Sequence, residues 1–198
     1  MAGKDRLLLE LKTHLLSLMP LTEEAWHAFY THIQYHQFEK NDYIFKVNIP
    51  EKNIHFLCEG LVRLFYLLEN GNEFNKSFLK GHDLVASIDQ GFHDQPANYN
   101  AQCMSRCYSI SVSYQQLRLL AAEFDCWSQF IQRSVEHLAL KKQRREQQLL
   151  TDTPTQRYES FMSEFGSVAA DIPLFQIAAY LGITDVSLSR IRKRLNVS

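Results

Sequence analysis

Leu174-Phe-Gln-Ile-Ala-Ala-Tyr-Leu-Gly-Ile-Thr-Asp-Val-Ser-Leu-Ser-Arg-Ile-Arg-Lys-Arg-Leu195 is the stretch that decides how this chain is read. Two helices crossing at a tight turn need a small residue where they touch, a glycine to redirect the chain, and an apolar side on the second helix. Ala178 meets the first need, Gly182 the second, and Ile183, Leu188, Ile191 and Leu195 the third. Gly182 can enter the left-handed region without the clash that a Cβ would bring. Thr184 is placed to cap the second helix, whose exposed side then carries Asp185, Val186, Ser189, Arg190, Lys193 and Arg194. A helix of this kind suits the major groove of double-stranded DNA, where hydroxyls and cations reach phosphates and an arginine can fork onto a guanine edge. Thr184 and Ser187 are assigned to phosphates, Asp185, Val186, Ser189 and Arg190 to the base-facing side, and Lys193 and Arg194 to backbone charge. The plainer alternative is a helical hairpin with a solvated basic face.

Upstream of this stretch, Thr153-Pro-Thr-Gln156 combines an N-cap threonine, a proline at the first helical position and a glutamine at the third, so a helix starts at Pro154 and runs to about Phe165. The segment from about Asp125 to Leu150 lacks glycine and proline and reads as one long helix. Its apolar side holds Trp127, Phe130, Ile131, Val135, Leu138 and Leu149, the Leu138 side being core or a dimer seam. Its Lys141-Lys-Gln-Arg-Arg145 run is either a solvated face or a surface for an anion or DNA.

Earlier still the rhythm is that of strands. Tyr43–Val47, Ile54–Cys58, Leu61–Leu68, Phe74–Leu79 and Leu84–Ile88 are short aromatic and β-branched runs, and Gly60, Gly71, Gly81 and Gly91 separate them at intervals of 11, 10 and 10 residues. Asn70-Gly71 is the strongest hairpin signal. Tyr108, Ile110 and Val112 alternate with Ser109, Ser111 and Ser113, placing apolar groups on one face of a strand and hydroxyls on the other. The expected fold is α+β, with helices over residues 1–36, an antiparallel β-roll or jelly roll over 37–113, a dimerisation helix and linker over 114–152, and a helix-turn-helix domain over 153–198.

Composition is consistent with this division. At 198 residues the chain can bury a core without disulfides, and 45% hydrophobic against 22% charged residues is the balance of a folded protein. The net charge of −1 excludes an indiscriminate nucleic-acid coat, yet it hides a split: residues 1–132 carry 11 basic and 15 acidic side chains, residues 133–198 carry 10 and 7. Four cysteines do not make a disulfide scaffold, and Glu10, Lys12 and His14 interrupt the leucines of the first segment, which is too polar for a signal or membrane span. A reduced, cytoplasmic compartment with no membrane partner is the expectation.

Cys58-Glu-Gly-Leu-Val-Arg63 with Asn70-Gly71, Gly81-His-Asp-Leu-Val85, Tyr180-Leu-Gly-Ile-Thr184 and Leu188-Ser-Arg-Ile-Arg192 resemble the Crp/Fnr superfamily of bacterial transcription regulators, over nearly the whole chain. The resemblance implies a roll of cyclic-nucleotide-binding type, a homodimer, a near-palindromic operator and, as a further candidate partner, RNA polymerase. It places the effector pocket around Arg63, Ser87 and Asn98. Cyclic-AMP-binding members use a glycine-glutamate pair for the ribose and an arginine-serine pair for the phosphate; here those positions hold Ala86, Ser87, Ala97 and Asn98. An unpaired buried phosphate would be too costly, so cyclic AMP is not the expected effector, and the effector is unknown or absent. The first cysteine is Cys58, which leaves no N-terminal cluster for iron and sulfur, and Val186 stands where many members carry a base-reading glutamate.

Other constellations are weaker. Cys103 and Cys107 read as buried structural thiols rather than a redox or metal pair, and His32 and His36, at helical spacing, as a surface pair rather than metal ligands. No cofactor or metal is expected. Phosphate-binding loops, nucleophile elbows and zinc-protease motifs are missing, so catalysis is not expected. The rival of another class is a β-roll ligand-binding or protein-interaction module that no longer binds DNA.

Overall fold

Helix α1 (Ala2–Leu18) buries Leu7, Leu11 and Leu15 along one stripe and leaves Leu18 outside it. The computed structural model describes residues 2–196; residues 1, 197 and 198, the outer ends of the first and last expected segments, lie outside it. Helix α2 (Glu23–Tyr30) is capped by Thr22, whose hydroxyl accepts from the Ala25 amide at 3.1 Å, and it buries Ala25, Trp26 and Phe29. Strand β1 (Gln34–Phe38) then begins inside the stretch expected to be helical. Its residues Gln34, Tyr35 and His36 pair with Ser111, Ile110 and Ser109 of β8 (Cys107–Ser113), and a ladder partner this distant in sequence is invisible to local periodicity. His32 and His36 consequently never share a helix face.

The remaining strands are β2 (Tyr43–Phe45), β3 (Asn53–Glu59), β4 (Leu61–Leu67), β5 (Glu73–Lys80), β6 (Leu84–Val85) and β7 (Asn100–Cys103), with a short helix α3 (Ile88–His93) after β6. They form two antiparallel four-stranded sheets, β1-β8-β3-β6 and β2-β7-β4-β5. Gly60 joins β3 to β4 at φ +105°, and a Cβ there would lie 2.5 Å from Cys107 Sγ and 2.6 Å from the Arg106 carbonyl, so only glycine fits.

Between the sheets lies an apolar interior of Ile44, Phe45, Leu57, Val62, Leu64, Leu79, Val85 and Tyr99 among others. The alternation in β8 divides the faces as the spacing requires, but both faces are buried. Ile110 and Val112 point outward into a second core with α1, α2, α4 (Tyr114–Glu123) and the start of α5 (Asp125–Thr151). Ser109 and Ser111 point inward, where Ser109 Oγ meets His55 Nδ1 at 3.1 Å and Ser111 Oγ meets His36 Nε2 at 2.8 Å. Burial pushes the His55 imidazole down to about 3, so it sits there neutral.

The C-terminal helices α6 (Pro154–Phe165), α7 (Leu174–Leu181) and α8 (Asp185–Arg194) cover the outer face of the other sheet. Thr153 and Gln156 cap α6 reciprocally, as their spacing predicts. These helices have no core of their own apart from the roll: Leu61 and Phe78 belong to the same buried cluster as Tyr158, Phe161, Phe165, Ile177, Tyr180 and Leu188. Among the described residues no helix is long and apolar enough to cross a membrane, and no group of three His, Cys, Asp or Glu side chains is arranged to hold a metal ion.

Candidate functional site

Helix α7 is anchored. It buries Gln176, Ile177, Ala178, Tyr180 and Leu181, and ends at Gly182, whose φ of +67° returns the chain so that the Ile183 amide donates to the Ala178 carbonyl at 3.1 Å. The next helix starts three residues after Gly182, at Asp185. Thr184 caps α8, its hydroxyl accepting from the Ser187 amide at 3.2 Å and lying 2.9 Å from Ser187 Oγ. Leu188 and Ile191 hold α8 to the shared core, and everything on its far side is open. Asp185, Val186, Ser189, Arg190, Lys193 and Arg194 are all exposed, and Arg194 donates to Thr155 Oγ1 of α6. With Arg192 half-buried beside them, four cations stand against one carboxylate on ten residues.

Of the assigned DNA contacts, the structure brings these six onto one free surface. Thr184 is exposed but its hydroxyl is engaged in the cap, and Ser187 is half-buried against it. The three residues expected around an effector pocket do not converge. Arg63 points away from the roll interior toward α7: it donates to Gln102 Oε1 at 3.0 and 2.7 Å, to Gln176 Oε1 at 3.3 Å and to Glu73, with its guanidinium 3.9 Å from the Phe65 ring centre. Asn75 of β5 reinforces the join, donating to the Gln176 carbonyl at 2.8 Å and to its side-chain oxygen. Arg63 is thus committed to holding α7, and Asn98 is exposed. Ser87 is buried beside Tyr114, whose hydroxyl accepts from the Ser87 amide at 3.1 Å.

The basic run of α5 is divided in the same way. Lys141 Nζ lies 2.6 Å from Glu164 of α6, while Arg145 lies 4.0 Å from the Tyr180 ring centre and donates to the Tyr180 carbonyl. Burial lowers the Arg145 guanidinium's affinity for its proton and raises that of the Tyr180 phenol. Lys142 and Arg144 remain exposed. Further along the same helix Val135, Leu140, Leu149 and Leu150 are exposed apolar side chains. Cys103 and Cys107 are buried neighbours whose mutual hydrogen bond pulls the Cys107 thiol down and pushes the Cys103 thiol up.

Gln176, Asn75, Phe78 and Tyr180 were missed as site-positioning residues. The available signal was two amides set within apolar runs, Asn75 before Phe78 and Gln176 between Phe175 and Ile177.

Residues 35–124 match the family model described as cyclic nucleotide-binding domain. No curated protein sequence is detectably similar to the chain. Among solved structures, FixK2 from Bradyrhizobium japonicum is 17% identical, with a TM-score of 0.74 over 83% of this chain and 84% of that one. A CooA variant from Carboxydothermus hydrogenoformans is 14% identical, with a TM-score of 0.70 over 92% and 84%. The c-di-GMP-responsive global regulator CLP of Xanthomonas campestris is 13% identical, with a TM-score of 0.64 over 88% and 92%. At these identities the likeness is one of fold.

Proposed function

We propose that this chain, whose residues 35–124 match the cyclic nucleotide-binding domain and whose fold is shared with regulators of the Crp/Fnr type, is itself a transcriptional regulator that binds DNA as a homodimer. The observation that carries the reading is α8: a helix held by Leu188 and Ile191 whose outer surface, Val186 apart, is short polar side chains and cations. In a helix-turn-helix made of α7 and α8, Asp185, Val186, Ser189 and Arg190 meet base edges while Lys193 and Arg194 meet phosphates. Thr184, whose hydroxyl caps the helix, and Ser187, whose hydroxyl lies against it, serve phosphate contact through the helix N-terminus.

The long helix α5 is the pairing element. Val135, Leu138 and Leu149 stand along it outside the buried cores, where a second copy would cover them. In such a dimer two copies of α8 enter successive major grooves roughly 34 Å apart. Because Lys141 and Arg145 tie α5 to α6 and α7, a displacement of α5 moves the reading helix with it. The roll supplies the sensing function, and a ligand drives the change only through unequal affinity for the two arrangements. Cyclic AMP does not fit the cassette: Ala97 is buried, Asn98 exposed, and neither supplies the cation that a cyclic phosphate needs.

Selection of bound sequences from random duplexes by the full-length protein tests this reading. The expected product is a near-palindromic site, with affinity that drops steeply between low and moderate salt as counterions are released. Failure to enrich any sequence, together with salt-insensitive retention, would overturn DNA binding in favour of an interaction module.

A further inference from the structure

On the outer surface of α8, Val186 is the apolar exception. Its side chain is 61% exposed, the most open of the large apolar side chains on α6, α7 and α8, and it takes no part in the core that Leu188 and Ile191 anchor. It occupies the second position of α8, in the turn that Thr184 fixes by accepting from the Ser187 amide. A β-branched side chain in a helix has one strongly preferred χ1 rotamer, so Val186 stands out in one direction with little freedom left to lose on contact. Arg190 follows one helical turn later on the same side, exposed and without an ion pair among the described residues. Asp185 is next in sequence but lies about 100° around the helix axis, so its carboxylate does not stand in for the valine.

Base edges in the major groove offer hydrogen-bond donors and acceptors at every pair and one apolar group, the C5 methyl of thymine. Valine has neither donor nor acceptor. Set against the N4 amino group of cytosine, or the N6 amino group and N7 of adenine, it would strip water from those groups and return nothing. Against a methyl it leaves no polar group unpaired and removes carbon from water on both sides. We propose that Val186 reads the C5 methyl of a pyrimidine, one in each half-site. The inference rests on the DNA-binding reading above and names what that surface selects. Four residues of helix rise about 6 Å, roughly two base steps, so the methyl lies about two pairs from the base that Arg190 meets. 5-Methylcytosine carries its methyl at the same place in the groove as thymine. At this pair the protein should therefore favour thymine over uracil, and 5-methylcytosine over cytosine, by the same factor.

The test uses a site selected from random duplexes by the full-length protein. It is remade with each thymine of either strand changed singly to deoxyuridine and, at the same positions, to cytosine or 5-methylcytosine, and affinities are compared at fixed salt. At one pair per half-site, thymine over uracil should be worth about fourfold, the transfer of a single methyl out of water, and 5-methylcytosine over cytosine the same. Val186→Ala should bring both ratios close to one without moving the thermal melt, because the side chain is exposed. Val186→Glu should erase the methyl effect and turn the preference at that pair toward cytosine, whose N4 amino group donates to a carboxylate. Arg190→Ala should weaken binding yet keep both ratios, which separates the methyl from the neighbouring contact. The absence of a methyl effect at every position, or a methyl effect that survives unchanged in Val186→Ala, would overturn the methyl reading while a selected, salt-sensitive site keeps DNA binding. Selection of no site would overturn both.

Discussion

Helices α7 and α8 are neighbours of similar length that do opposite things with their side chains. Five of the eight α7 residues are buried, including an uncharged amide, Gln176, on which Arg63 and Asn75 of the roll converge. Only two of the ten α8 residues are buried, and its last turn alone holds Arg192, Lys193 and Arg194. The two helices divide their surfaces: α7 is spent on holding the pair to the roll, and α8 keeps most of its side chains facing outward. A substitution should consequently affect stability or recognition according to which helix it touches.

The sharpest way to break this division is at Phe78, which is fully buried with its ring centre 5.5 Å from Tyr180, 5.8 Å from Phe165 and 6.2 Å from Phe161. Phe78→Ala should cost about 3–5 kcal/mol in denaturant unfolding, because it removes the aromatic ring that, among the described residues, the roll gives to that cluster. A cost near zero would show that the helices and the roll are not one cooperative unit. Gln176→Ala should follow with about 1–3 kcal/mol, since it strips partners from Asn75 and Arg63 where water does not replace them easily. A double-mutant cycle with Asn75→Ala would show coupling if the join acts as drawn.

Between the helices, Gly182→Ala isolates backbone from packing. An added Cβ would meet only Leu149 Cδ2, at an ordinary 3.8 Å, so the expected loss of about 1–2 kcal/mol is the left-handed conformation alone. A thermal melt unchanged from the parent would mean that the turn relaxes. The smallest effect on the fold belongs to α8: Arg190→Ala should move stability by less than about 0.5 kcal/mol. The same change should cost about 1–3 kcal/mol in affinity for the selected site and relax preference at one base position. Unaltered affinity and preference would remove Arg190 from the base-facing side.

Much of α7 and α8 was readable beforehand because caps, glycine turns and apolar spacing are properties of a few consecutive residues. Thr153 with Gln156, Gly182, and Thr184 with Ser187 adopt the arrangements their spacing demands. Strand β1 was not readable, because Gln34-Tyr-His-Gln-Phe38 carries no alternation strong enough to outweigh the helix before it; the ladder with β8 decides it. The family resemblance assigned Arg63 to the effector pocket. Its direction depended on which face of β4 the C-terminal helices would cover, and that is settled by Leu61, Phe78 and Tyr180 meeting in one core.

Short-range chemistry written in consecutive residues was enough for the hairpin at Asn70-Gly71, the cap of α6, the turn at Gly182 and the cationic side of α8. Long-range packing was needed to show that the C-terminal helices lean on the roll through Gln176 and Phe78, that Ser109 and Ser111 of β8 face His55 and His36, and that a bulge turns Lys76 toward Tyr99. The physical reason is range. A cap or turn is complete within four residues, whereas a buried amide, an inward hydroxyl or an unpaired lysine has a meaning set by partners that distant parts of the chain bring to it.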